Sequence, residues 1–273
     1  MVLYSNVISA ASADTWMEFP SNTAVEFWSI NNGVQLKITP LGASIVWGQD
    51  SSDGNGFRLH LRDLLERGGN NVSYVGTVFH GNMSDNACEA FPGRTIDEVD
   101  QDALQSGSYD FVPNVILVHL GTNDCMAVAN ETVAIAAQRS GSLLSTIQQR
   151  DADALVMAST LIHNLVPSVE DCIKAFNAHL PAIIQQARMA GQKVVLVDMH
   201  DAVPTSDINT TDATHPTDAG YAIMAQVWYD GIVNASTSIS APNTTGKEVP
   251  ATPSSAVGLG HMDAGLGLHA KVT

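Results

Sequence analysis

Ser44, His215 and Asp212 are the residues of this chain whose types and spacing fit nucleophilic chemistry on a carbonyl carbon. A serine hydroxyl is a weak nucleophile at neutral pH. It needs a base within hydrogen-bond reach and a third group that holds the base in the right tautomer. An Asp three residues before a His can bring both side chains to one side of a turn, where the carboxylate accepts from Nδ1 and Nε2 faces the serine. Pro216 pushes His215 out of helical geometry and favours a loop that projects the ring into a cleft. The oxyanion formed on the attacked carbonyl needs donors, and Asn123 together with a glycine-containing loop supplies candidates. Taken singly, each piece has a plainer reading: Gly42-Ala43-Ser44 is a turn after a strand, and Gly121-Thr122-Asn123-Asp124 is a turn with a helix cap. The serine is not in a Gly-x-Ser-x-Gly setting, so the nucleophile elbow of α/β-hydrolases is not supported.

Other residues compete for these roles. His80, His119, His163 and His200 are alternative bases. His119 lies in an apolar run, where a hydrogen-bonded core histidine is the expected reading, and His80, beside Gly81-Asn82, lines either the cleft or a surface loop. Cys88 reads as a small buried residue rather than a nucleophile. Asp53, Asn55 and Asn86 are candidates for binding sugar hydroxyls, with plain turns as the alternative. Trp47 is either a stacking platform or, as favoured here, a packed core aromatic.

The elements that must position these groups follow from the hydrophobic pattern. Short β-branched runs at residues 34–39, 71–75, 114–120, 154–161 and 193–199 alternate with helical patterns, which predicts βαβ units and a parallel sheet covered by helices on both faces. Phe57, Leu61, Leu64 and Leu65 make one helical apolar face that stops at Gly68-Gly69. Ile173, Phe176, Leu180, Ile183, Ile184 and Ala187 make a longer one, and Pro181 inside it predicts a kink or a split. The helix after His215, through Tyr221, Met224, Val227 and Trp228, anchors its loop to the core. In an open parallel sheet active residues gather beyond the carboxyl ends of the strands, which is where Ser44, Asn123 and the Asp212–His215 loop all fall. Residues 1–33 read as a poorly structured extension, 34–235 as one domain, and 236–273 as a flexible tail rich in Ser, Thr, Pro and Gly.

Composition narrows the function further. The 273 residues suffice for one sizeable α/β domain, and no stretch approaches the roughly 18 apolar residues of a membrane helix. A net charge of −16 repels phosphate backbones and anionic lipid, which argues against nucleic-acid binding and membrane insertion. Three cysteines match no zinc spacing and allow at most one disulfide; Cys125 with Cys172 would tie a loop to a helix, but sequence does not decide the pairing. Asn-x-Ser/Thr acceptors at Asn71, Asn82, Asn130, Asn209, Asn234 and Asn243 point to a secreted chain, although no complete signal peptide is evident around Ala11-Ser12-Ala13.

Four segments together resemble the SGNH or GDSL-type hydrolases: Ile38-Thr39-Pro40-Leu41-Gly42-Ala43-Ser44, Glu89-Ala90-Phe91-Pro92-Gly93-Arg94-Thr95-Ile96, Gly121-Thr122-Asn123-Asp124 and Asp212-Ala213-Thr214-His215-Pro216. Ser51-Ser52-Asp53-Gly54-Asn55-Gly56, Gly81-Asn82-Met83-Ser84-Asp85-Asn86 and Pro92-Gly93 add a likeness to the fungal secreted branch related to family 3 carbohydrate esterases. The resemblance implies a three-layer αβα sandwich with a central five-stranded parallel sheet, the flavodoxin-like SGNH hydrolase fold. It implies Ser44 as nucleophile, His215 as base and Asp212 as orienting acid. The implied oxyanion donors are the backbone N–H groups of Ser44 and Gly93 and the side-chain amide of Asn123; Asp53, Asn86 and His80 are the substrate-binding candidates. It also implies a short-chain, acetyl-directed esterase acting on a small-molecule or polysaccharide ester such as acetylated xylan, with no metal or cofactor required. The alternatives are a lysophospholipase or thioesterase type of lipid esterase, and a catalytically impaired descendant that binds glycans. The last arises because Ala43 stands where the family has Asp; Ala90 and Arg94 also depart from the family's usual Gly and aromatic residue.

Overall fold

The computed structural model describes residues 27–127 and 133–249; Ala11-Ser12-Ala13, Asn130 and the tail from residue 250 onward lie outside them. In chain order the elements are β1 (Leu36–Gly42), α1 (Ser44–Trp47), α2 (Phe57–Arg67), β2 (Val72–Tyr74), β3 (Val78–Phe79), β4 (Ala87–Ala90), α3 (Ile96–Ser106), β5 (Val115–His119), α4 (Thr122–Ala127), α5 (Val133–Arg150), β6 (Leu155–Ser159), α6 (Pro167–Met189), β7 (Val194–Val197) and α7 (Asp218–Asn234).

β1, β5, β6 and β7 lie side by side and parallel. On the other side of β1 two short strands share one position: β2 pairs its first half, Leu36 opposite Val72, and β4 its second half, Leu41 opposite Glu89. β3 then adds antiparallel to β4. The sheet therefore has seven strands rather than the five expected. The five long positions were visible as β-branched runs, but the fifth is broken at Gly76, where a Cβ would meet the Cys88 carbonyl at 2.2 Å, and the chain leaves the edge and returns. Strands of two and four residues carry no hydrophobic period long enough to read.

Strand side chains alternate between two cores. Val115 and Leu117 of β5, with Leu155 and Met157 of β6, pack against α2 and α7 through Phe57, Leu61, Met224 and Trp228. Ile116 and Val118, with Val156 and Ala158, pack against α3, α5 and α6 through Val99, Ile147, Ile173 and Phe176. That is the three-layer arrangement, and it explains why the inner strands read as continuous apolar runs. α6 corrects an expectation, because it runs as one helix through Pro181 rather than splitting there. A proline removes one helical hydrogen bond and crowds the carbonyl four residues back. Ile173, Phe176, Leu180 and Ile184, on both sides of it, are buried in one core and hold the two halves in register.

The described parts of both flanking segments pack on the domain. Ile30 is buried and its backbone is clasped by the Asn70 side chain, while Asn114 Nδ2 donates to the carbonyl of Ser240 beside buried Ile239. Cys125 and Cys172 form a disulfide between α4 and α6, and Cys88 is a buried free thiol whose pKa burial pushes up to about 11.

Candidate active site

β1 delivers Gly42 to the carboxyl edge, and Ser44 opens the single turn of α1. Gly42 is required by packing: a Cβ there would stand 2.3 Å from Val46 Cγ2 and 2.6 Å from the His119 carbonyl oxygen. Because Ser44 is the first residue of its helix, its N–H has no helical acceptor. Its Oγ lies 2.8 Å from His215 Nε2, across 171 residues of chain. His215 Nδ1 is hydrogen-bonded to Asp212 Oδ2. The other Asp212 oxygen accepts from the backbone N–H groups of Thr214 (2.9 Å) and His215 (3.1 Å). This fold-back needs Ala213 in the left-handed region at φ 65°, a local strain held by two outside bonds: Ala213 N–H to the Asn209 carbonyl and Leu165 N–H to the Ala213 carbonyl. α7 follows at once, capped by Thr217 and sunk into the core through Tyr221 and Trp228.

The electrostatics favour an ionised Asp212. Burial works against the charge, but the His215 ring, the two backbone N–H groups and Asp50 outweigh it and hold the carboxyl at about 2. Asp50 is the counterpart. Its own carboxyl is raised by burial and by Asp212, and its backbone sits at φ 65°. No sequence feature marked Asp50, because its position beside Asp212 depends on two loops meeting.

Asn123 lies in the first turn of α4 with its amide donating to the Arg94 carbonyl (2.9 Å), which fastens it to the exposed Phe91–Arg94 turn, and the Phe91 N–H in turn donates to the Gly42 carbonyl at the end of β1. Gly93 in that turn has φ 81° and open space where a Cβ would be, so backbone conformation and not packing calls for glycine. Ala43 is buried among Ile96, Leu41 and Cys125. The neighbouring loops are braced by Asp124, which accepts from the Ile96 N–H (3.0 Å) and from Arg139 (3.0 Å), and Arg139 also pairs with Asp97. These ties join α3, α4 and α5 where Ala43 supplies no carboxylate.

A second set of loops is gathered by Arg58, a fully buried arginine that sequence reading passed over. Its guanidinium donates to the carbonyls of Asn86, Trp47, Gly54 and His80 at 2.8–3.1 Å. A signal existed: Arg58 shares the i, i+3, i+7 stripe with Leu61 and Leu65, and a charge on an apolar stripe must find partners. Asp53 binds the Asn55 backbone and amide, Asn86 Nδ2 donates to the Gly81 carbonyl, and His80 Nδ1 donates to the Trp47 carbonyl while its ring stacks on Trp47. These polar contacts are spent within the loop layer. Trp47 itself is half-buried against the α2–α7 core.

The rival histidines go elsewhere: His119 Nδ1 contacts Ser159 Oγ inside the sheet, and His163 and His200 both meet Glu170. Among the described residues two groups bring enough donors together for a metal ion, Asp50–Asp212–His215 and His163–Glu170–His200. In the first, both His215 nitrogens are already engaged by Asp212 and Ser44.

A Ser–His–Asp chain at the carboxyl edge of a parallel sheet can carry acyl transfer. Comparisons with known proteins agree with that chemistry. No curated sequence matches the chain significantly. Among solved structures, a family 3 carbohydrate esterase from Clostridium thermocellum matches at 23% identity and TM-score 0.62, over 74% of this chain and 98% of that one. A carbohydrate esterase family 3 structure from Talaromyces cellulolyticus matches at 18% and 0.64, over 76% and 100%. A mutant acetyl-xylooligosaccharide esterase from Geobacillus Stearmophilus matches at 14% and 0.56, over 73% and 95%. At these identities the likeness establishes the SGNH hydrolase fold. The model of the GDSL-like Lipase/Acylhydrolase family matches residues 41–223, a span that runs from the end of β1 through His215 into α7. The chain belongs to that GDSL-like lipase/acylhydrolase family and is a carboxylic ester hydrolase.

Proposed function

We propose that this protein is a secreted serine esterase that removes acetyl or similarly short acyl groups from a carbohydrate ester. The observation that carries the catalytic part is the continuous chain from Ser44 Oγ through both nitrogens of His215 to ionised Asp212. In this reading His215 takes the Ser44 proton as Oγ attacks the ester carbonyl, and Asp212 stabilises the imidazolium that forms. The Ser44 and Gly93 N–H groups and the Asn123 amide receive the oxyanion. The alcohol leaves with the proton from His215, and water then hydrolyses the acyl-enzyme. Asp53, Asn86 and His80 shape the sugar side of the cleft through the loops they hold together. The acetyl and carbohydrate parts are supported by the carbohydrate esterase and acetyl-xylooligosaccharide esterase names of the structural neighbours. Secretion is supported by the disulfide and by exposed acceptors at Asn71, Asn82, Asn234 and Asn243.

The test is hydrolysis of p-nitrophenyl acetate, p-nitrophenyl octanoate and acetylated xylo-oligosaccharides by wild type and by folded Ser44→Ala. Acetate and oligosaccharide turnover that vanishes in Ser44→Ala is the expected result. Preference for octanoate would replace the carbohydrate substrate with a lipid one, and inactivity of folded wild type would sink the catalytic reading.

A further inference from the structure

Away from Ser44, three side chains from three elements converge on the same edge of the sheet. His163 comes from the segment after β6, Glu170 from the first turn of α6, and His200 from the turn after β7. Glu170 Oε1 lies 2.9 Å from His163 Nδ1 and 3.0 Å from His200 Nε2, and the two rings sit 3.8 Å apart. The three side chains are only 21%, 13% and 15% exposed, so solvent reaches the group from one side.

The surroundings hold these donors in place. Glu170 Oε2 accepts from the Asn164 N–H at 2.9 Å, which leaves Oε1 aimed at the imidazoles. His200 is fixed through its backbone: its N–H meets Thr160 Oγ1 and Asp198 Oδ1, each at 3.0 Å, and Asp198 also accepts from Thr160 Oγ1. Asp201 Oδ1 stands 3.9 Å from His200 Nδ1, on the side where a ring proton must go when Nε2 becomes a ligand.

We propose that His163 Nδ1, Glu170 Oε1 and His200 Nε2 form a binding site for a zinc-class divalent cation, set behind the loop that carries His215. Two imidazoles and one carboxylate suit Zn²⁺ and its neighbours Co²⁺ and Ni²⁺, whereas Ca²⁺ and Mg²⁺ require sets of oxygens. With ligand bonds of roughly 2.0–2.2 Å, tetrahedral geometry places donors roughly 3.4 Å apart. The two imidazole nitrogens, at 2.9 and 3.0 Å, need to draw back only slightly from Oε1, and all three atoms already lie within 4.8 Å of one another. The fourth position faces solvent and takes water. Lys174, whose ammonium lies 3.4 Å from Oε1 and whose side chain is 59% exposed, swings outward when the cation neutralises Glu170.

The site is structural. Asn164 joins it to the catalytic loop, since its N–H holds Glu170 while its Nδ2 donates to Thr214 Oγ1, and the next residue, Leu165, donates to the Ala213 carbonyl. A bound cation therefore pins the 160–166 segment against the 212–215 loop without entering the reaction proposed above, and its test does not depend on that reading.

Full-length protein is stripped with a chelator, desalted and titrated with Co²⁺ as a coloured stand-in for Zn²⁺. One equivalent binds with a visible d–d band, and Zn²⁺ raises the melting midpoint. Glu170→Gln and His200→Ala, each with wild-type circular dichroism, weaken binding by more than ~100-fold, and Zn²⁺ no longer shifts their midpoints. Asp50→Asn leaves binding unchanged, which separates this site from the group around His215. Absence of stoichiometric binding, binding retained in both ligand variants, or binding lost in Asp50→Asn would each overturn the proposal. Where His200→Ala does not fold, His163→Gln is read in the same way.

Discussion

His215 Nε2 lies 2.8 Å from Ser44 Oγ in the loops above the sheet, and His119 Nδ1 lies 2.8 Å from Ser159 Oγ at the facing ends of β5 and β6. The contacts are equal in length and opposite in environment. Behind His215 stands an ionised Asp212, and its partner Ser44 is half-buried rather than fully enclosed. Behind His119 there is no acid: its Nε2 has no partner among the described residues, and Ser159 Oγ turns to the Val118 carbonyl. Burial alone pushes His119 down to about 4, so it remains neutral where an imidazolium would have to form. A serine and a histidine in contact are thus not a catalytic unit. The third group makes the difference, and it belongs to a loop rather than to the sheet interior.

The sharpest way to break this comparison is to remove the serines in turn. Ser44→Ala should lower kcat on p-nitrophenyl acetate by about 10⁶ and Asp212→Asn by about 10⁴, while Ser159→Ala leaves kcat close to wild type. Equal losses at Ser44 and Ser159 would erase the distinction. Next in size, Asn123→Ala should cost about 10²–10³ in kcat with the melting midpoint nearly unchanged, as expected of a donor that acts on the oxyanion; an effect on KM alone would assign it to ground-state binding.

The buried pair should instead appear in stability against pH. A histidine depressed to about 4 in the fold but free to protonate near 6.5 when unfolded gives the unfolded state the extra proton between those values. Stability is then lost as pH falls through that window, on the order of 3 kcal/mol from this residue. In His119→Gln the drop in melting midpoint between pH 7 and pH 4 should shrink, and an unchanged slope would show that His119 does not titrate in this way. The smallest effect concerns Asp50. An Asn at this position still offers a side-chain donor toward Asp212, so Asp50→Asn should leave kcat on p-nitrophenyl acetate at neutral pH changed little. A large loss of kcat in the folded variant would mean that the carboxyl itself, and not only a donor, is needed beside Asp212.

Much of this was legible in the residues. The β-branched runs marked every long strand of the parallel sheet, and the Phe57–Leu61–Leu65 stripe marked α2 up to Gly68, because period and punctuation are local properties. His119, read as a core histidine from its apolar neighbours, is buried and bonded to Ser159. Other features were hidden for a physical reason. Pro181 promised a break that burial on both sides suppressed, and β3 and β4 are too short to show a period. Arg58 stands on an apolar stripe, but the carbonyls around it come from two segments, 47–54 and 80–86, whose meeting no local pattern announces.

Sequence alone determined the alternation of strand and helix, the glycine that ends β1, and the three-residue spacing that returns Asp212 onto His215, since each depends on backbone preferences within a few residues. Only the tertiary structure decided which serine meets which histidine, that Cys125 pairs with Cys172, that Asp50 stands beside Asp212, and that His163 and His200 share one oxygen of Glu170. Those contacts are set by the order of parallel strands and by the helices that fix their loops. Parallel neighbours are joined by long crossovers, so side chains far apart in the chain meet at one edge without any local signal to announce it.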